Sequence, residues 1–134
     1  MNILVNVDVD DLDRGVRFYT EAFGLRAGRR LGEGVAELLG ASSPIYLLAK
    51  PPGSGAFPGA AKRRHYGRHW TPVHLDFVVD DVETSVARAL GAGATLEQAP
   101  ATHVWGKLAL LADPFGNGFC LLQFLGRGYD ELAA

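Results

Sequence analysis

Residues 7 to 16, VDVDDLDRGV, return seventy positions later as FVVDDVETSV. Val7, Val9, Asp10, Asp11, Leu12, Asp13 and Val16 are answered by Phe77, Val79, Asp80, Asp81, Val82, Glu83 and Val86, so seven of ten positions agree in kind. Agreement at that density marks an internal repeat, and a repeat limits the fold more than any composition does. Both copies must take the same local structure, and each has an apolar face to bury.

The run before each aspartate pair alternates with period two, as a strand with two unlike faces does. Ile3, Val5, Val7 and Val9 share one face of the first run, and Val73, Leu75, Phe77 and Val79 share it in the second. The opposite face carries Leu4, Asn6 and Asp8 in one copy and His74, Asp76 and Val78 in the other. After the aspartates the period becomes helical: Leu12, Val16, Tyr19 and Phe23 recur on one stripe, as do Val82, Val86, Ala89 and Leu90. The aspartates suit the free N–H groups and positive end of a helix start, while Gly24 and the pair Gly91 and Gly93 suit its left-handed end.

Three shorter strands follow each helix, predicted near residues 26–31, 34–40 and 44–50 and near 95–99, 104–112 and 118–125. Gly32 to Gly34 and Asp113 to Gly118 supply turns. The expected class is α+β: two tandem βαβββ units whose curved mixed sheets surround a cavity, with helices outside. All of residues 1–134 form a single domain in this reading, with unit one at about 1–50, a linker at about 51–71, unit two at about 72–125 and a tail at 126–134.

Composition narrows the function. With 48% hydrophobic residues in 134 the chain fills one core, and a net charge of −2 gives no basic footprint for nucleic acid. A single cysteine allows no internal disulfide, and no basic leader or long apolar run predicts a signal peptide or membrane span, so the expected location is cytoplasmic.

The pattern VDVDDLDRGVRFYTEAFGL, its echo VVDDVETSVARALGAGA, the pair Trp105–Gly106 and DPFGNGF at 113–119 resemble the glyoxalase / bleomycin-resistance / extradiol-dioxygenase group, the vicinal oxygen chelate superfamily. The resemblance covers about residues 3–125, except 51–71. In metal-dependent members it implies ligands from the first and last strands of each unit, which fall here at Leu4, Tyr46, His74 and Cys120. An isobutyl group and a phenol make poor ligands, so no metal or other cofactor is expected. A divalent ion (Zn, Ni, Fe or Mn) stays open only through substitutes such as Asp76, Asn6 or Glu37.

The same alignment implies that His74 and Cys120 project to one point. Two readings of Cys120 follow: a thiol activated by His74, or a small apolar filler, and the second is favoured. Asp76 is placed to pair with His74. Asn6, Asp8, Tyr46, Leu48, His74, Asp76, Trp105 and Cys120 are the candidate ligand-contacting residues, with Phe119 a further apolar wall. The favoured function is binding of a small organic molecule in the cavity. A metal-dependent lyase, isomerase or dioxygenase using His74, and a metal-free enzyme using His74 with Asp76 or Cys120, remain alternatives. The resemblance also implies a homodimer.

Residues 51–70, PPGSGAFPGAAKRRHYGRHW, break the repeat. A solvated linker is the favoured reading, and a lid in which an arginine meets an acidic ligand while Tyr66 or Trp70 closes over it is the sharper one. The tail GRGYDELAA is expected to fray.

Overall fold

The computed structural model describes residues 1–133. The first unit comprises β1 (Val5–Val9), α1 (Leu12–Phe23), β2 (Arg26–Arg30), β3 (Val35–Leu39) and β4 (Ile45–Ala49). The second comprises β5 (Leu75–Val78), α2 (Val82–Ala92), β6 (Thr95–His103), β7 (Gly106–Ala112) and β8 (Gly118–Phe124). Each forms a four-stranded sheet, in the order β1-β4-β3-β2 and β5-β8-β7-β6. The first strand of each unit runs parallel to the last, and the other pairings are antiparallel.

The helix boundaries follow from side-chain chemistry. Asp11 accepts the Arg14 N–H at 3.0 Å and Asp81 accepts that of Thr84 at 3.0 Å. The Thr84 N–H is also the main reason that the Asp81 carboxyl sits below its ordinary pKa. Gly24 and Gly93 close the helices at φ of 67° and 116°, in the left-handed region. Gly15 sits inside α1 for a different reason: a Cβ there would stand 3.1 Å from Leu47 and 3.2 Å from Val9, so its absence lets the helix lie close on the sheet. That closeness offsets the roughly 1 kcal/mol that a mid-helix glycine costs.

The apolar faces of both sheets meet the helices in one core that includes Phe18, Leu38, Leu47, Val82, Leu111, Phe115 and Leu121. Phe23 of α1 stacks on Phe77 of β5 with centroids 3.9 Å apart, so the first helix serves both sheets. A buried polar joint reinforces the boundary. The Tyr19 hydroxyl donates to Asp113 Oδ2 at 2.6 Å, and the carboxylate also accepts the Phe115 N–H, the Asn117 N–H and the Asn117 side-chain amide. The DPFGN turn of unit two is thereby bonded to the helix of unit one.

Three expectations are corrected. Strand β6 was expected to stop near residue 99 but runs to His103 through Pro100, which the sheet tolerates because β6 is an edge strand. Trp105 therefore sits in the β6–β7 turn instead of opening a strand. The tail does not fray over its described part: Gly128–Glu131 form a short 3-10 helix whose Tyr129 packs on Phe124 and Trp105. Among the described residues no helix is long and apolar enough to cross a membrane.

Candidate functional site

Strands β1 and β5 each pair on one side only. Between them opens a cavity of about 770 Å3. Residues 3 to 8 line it without a gap, which means that it meets β1 edge-on, since a face would expose only alternate residues. Tyr19, Phe77 and Phe119 form its apolar floor, and His65, Tyr66, His69 and Trp70 contribute from the connecting segment.

That segment is a strap fastened to both units, which corrects the solvated-linker expectation. Arg64 Nε donates to Asp8 Oδ2 at 2.6 Å, and its Nη1 donates to the Gly55 carbonyl at 2.6 Å and Ser54 Oγ at 3.3 Å. The Tyr66 hydroxyl donates to the Lys50 carbonyl at 2.6 Å. Farther along, Arg68 forms a two-point pair with Glu97 at 2.6 and 2.9 Å, and the His69 N–H donates to the Gly116 carbonyl at 3.1 Å. Gly116, at φ 83°, could not be another residue, because a Cβ would collide with the Gly67 carbonyl. Of the two arginines of this segment that line the cavity, Arg63 and Arg64, the second is committed to Asp8. Trp70 is left 81% exposed on the rim.

The candidate residues divide into groups. Asn6, Asp8 and His74 line the large cavity, together with Leu4. His74 and Cys120 line a smaller neighbouring cavity of about 230 Å3, bordered also by Trp70 and the Arg68–Glu97 pair. Asp76 lines neither cavity, but its Oδ1 stands 3.1 Å from His74 Nε2. The donor atoms of His74, Asp76 and Cys120 all fall within 4.8 Å of one another. Register explains part of the convergence: Asp76 and Cys120 are partners across β5 and β8, while His74 stands just before β5 with its ring within reach of both.

Tyr46, Leu48 and Trp105 line neither cavity. Trp105 stacks on His103 at 4.8 Å with the planes 3° apart, beside the tail. Tyr46 donates to Glu37 Oε2 at 3.0 Å, and Glu37 is gripped by Arg29 through Nη2 at 2.6 Å, Nε at 3.0 Å and the backbone N–H at 3.2 Å. Those Arg29 bonds hold the Glu37 carboxyl at a pKa of about 2. Glu37 is thus committed and is no substitute ligand. Sequence reasoning missed this cluster because a bulge between Ala27 and Arg30 shifts the β2–β3 register.

The four superfamily ligand positions do not offer a full donor set here. Leu4 has no donor, and the phenol of Tyr46 is spent on Glu37. Local physics disfavours an activated thiol: Cys120 is 7% exposed, and burial, with the Asp76 carboxylate second, pushes its thiol up to about 12. Both effects favour the protonated thiol over the thiolate.

The model of the glyoxalase-like domain family matches residues 4–122. The chain belongs to that family. The curated relatives of this glyoxalase-like domain are longer: it spans 43% of an uncharacterized protein of Mycobacterium bovis, 43% identical over 66 residues that make up 48% of this chain. It spans 33% of the anthracycline biosynthesis protein DnrV of Streptomyces peucetius, 31% identical over 100 residues, 72% of this chain. Among solved structures, a glyoxalase/bleomycin resistance protein/dioxygenase family enzyme from Burkholderia phytofirmans is 25% identical with a TM-score of 0.69, covering 91% of this chain and 97% of that one. TnmS3, an antibiotic binding protein from Streptomyces sp. CB03234, is 25% identical with a TM-score of 0.65, covering 93% and 96%. The glyoxalase-like domain thus presents an apolar floor, a rim of imidazoles and aromatic rings, and polar wall groups of which Asp8 and Arg64 already satisfy each other.

Proposed function

We propose that this glyoxalase-like domain binds a flat, largely apolar polycyclic molecule in the cavity between β1 and β5. The observation that carries the reading is the cavity itself. Its volume of about 770 Å3 suits a drug-sized ligand, and its lining combines aromatic and aliphatic side chains with polar groups that include Asn6, Arg63, His65 and His69. Planar ligands gain most from such walls, because stacking on a ring adds to the burial of apolar area. Trp70, exposed on the rim, is the side chain placed to cover the ligand. The names of two relatives support the ligand class, one being an anthracycline biosynthesis protein and the other an antibiotic binding protein. Recognition in this reading comes from shape and stacking, without an ion at the four superfamily positions.

Binding is tested by titrating an anthracycline, and a non-planar control of similar mass, into protein carrying Trp105→Phe, which leaves Trp70 as the single tryptophan reporter. Quenching that saturates with a Kd of about 1 µM or tighter is expected, matched by equilibrium dialysis. Trp70→Ala should weaken binding about tenfold. Dialysis showing no retention of a panel of planar polycyclics at about 100 µM would refute the reading.

The same proposal includes pairing of two copies and residence in the cytoplasm. Exposed Ile3, Leu4, Val73 and Val78 beside the free strand edges support pairing, and light scattering checks it. The one buried, unpaired cysteine supports a reducing compartment.

A further inference from the structure

We propose that Arg63, His65 and His69, on the strap side of the large cavity, form a subsite for one carboxylate, so that the polycycle held there is an acid. The subsite rests on the reading of that cavity as a polycycle site. An imbalance of donors over acceptors points to it. Among the described residues Asp8 is the single carboxylate that lines the cavity, and it is paired with Arg64 at 2.6 Å. The Tyr19 hydroxyl is spent on Asp113, the Tyr66 hydroxyl on the Lys50 carbonyl and the Thr71 hydroxyl on the Val73 carbonyl. What faces the cavity is then a net positive wall with N–H groups in excess.

Arg63 brings a full positive charge and enters no ion pair among the described residues. Its guanidinium presents five N–H donors in a planar fork that meets a carboxylate at two points. The backbone that carries it is fixed. Gly55 and Arg63 are bridge partners, the Arg64 N–H donates to the Ser54 carbonyl at 2.8 Å, and the Gly53 N–H donates to the Arg64 carbonyl at 2.7 Å. The rings of His65 and His69 pack edge to face with centroids 5.6 Å apart, and both line the cavity. An imidazole offers an N–H donor in either charge state. Because the strap is anchored at Asp8, Lys50 and Gly116 before a ligand arrives, little ordering entropy opposes the contact. A cationic guest meets the reverse, since Arg63 repels it and Asp8 is already taken.

The test compares anthraquinone-2-carboxylate with its methyl ester by equilibrium dialysis against the full chain, because the two share one planar skeleton and differ in charge. The carboxylate is expected to bind about tenfold tighter or better, and that preference should shrink as salt rises from about 0.05 to about 0.5 M. Arg63→Ala should cut the preference at least about fivefold, while Arg63→Lys, which keeps the charge and loses the fork, should retain part of it. Lys62→Ala removes an equal charge that does not line the cavity and should leave the preference intact. Arg63 is exposed, so its variants spare the core. Equal binding of acid and ester, a preference that survives Arg63→Ala, or one lost as fully in Lys62→Ala, overturns the subsite while polycycle binding stands. Retention of neither compound overturns polycycle binding, and the subsite with it.

Discussion

Replacing Tyr19 with phenylalanine deletes one oxygen from the joint between the two units. The ring is 3% exposed and its hydroxyl donates to Asp113 at 2.6 Å, so the lost contact is a buried hydrogen bond to a carboxylate. Such bonds contribute about 1.5–3 kcal/mol. Asp113 keeps three donors, from Phe115 N–H, Asn117 N–H and the Asn117 amide, so no orphaned charge adds to the loss. The expected cost of Tyr19→Phe is therefore about 1.5–3 kcal/mol, or roughly 6–12 °C in Tm for a chain of this size. Urea unfolding should show a lower midpoint with an unchanged slope. Asp113→Ala, which strands several buried donors, should cost more, about 3–5 kcal/mol. In that background Tyr19→Phe should cost almost nothing, giving a coupling of about 1.5–3 kcal/mol. Burial and then the Asp113 charge raise the pKa of Tyr19 well above 10.0, so its contribution is whole below that pH and is withdrawn as the pH climbs further. A Tyr19→Phe variant within about 0.5 kcal/mol of wild type, or strictly additive costs in the double variant, would refute the joint.

Glu37 is held at a pKa of about 2 against an ordinary 4.5, so its contribution is present above 4.5 and lost as the pH falls toward 2. Acid titration of the unfolding midpoint should therefore be shallower in Glu37→Gln. The Cys120 thiol, raised from 9.0 to about 12, should resist alkylation between about pH 7 and 9 in chelator-treated native protein and react quickly once unfolded in urea. The raised value also means that stability falls between 9.0 and 12, a fall absent from Cys120→Ala. Arg64→Ala removes the strap's bond to Asp8 and two further bonds from a side chain 20% exposed, at an expected cost of about 1–2 kcal/mol. Limited proteolysis should then cut within residues 51–71 faster than in wild type, and equal rates would count against the strap.

Periodicity made much of this structure legible. The repeat, the aspartate caps and the alternating faces of residues 3–9 and 73–79 express local rules, and the convergence of His74 with Cys120 follows once two strands are aligned. What stayed hidden depends on distance along the chain or on irregularity. Arg64 and Asp8 are 56 residues apart, and nothing in either neighbourhood announces the pair. Tyr46 and Leu48 share a sheet face with Asn6 and Asp8, yet the cavity opens along the edge of β1, which a face pattern does not encode. Trp105 was assigned to the cavity because its destination, a four-residue 3-10 helix in the tail, has too few turns to show a period.

Among the described residues the two sheets share no ladder, and what joins the units is side chains, packed helices and the strap. Backbone pairing is thereby closed within each half, so a substitution along the seam exchanges one packed group for another without unzipping a strand. Such a boundary can be rewritten by small steps during evolution while both halves keep their architecture. A scaffold of this kind can alter its seam without first relearning how to fold.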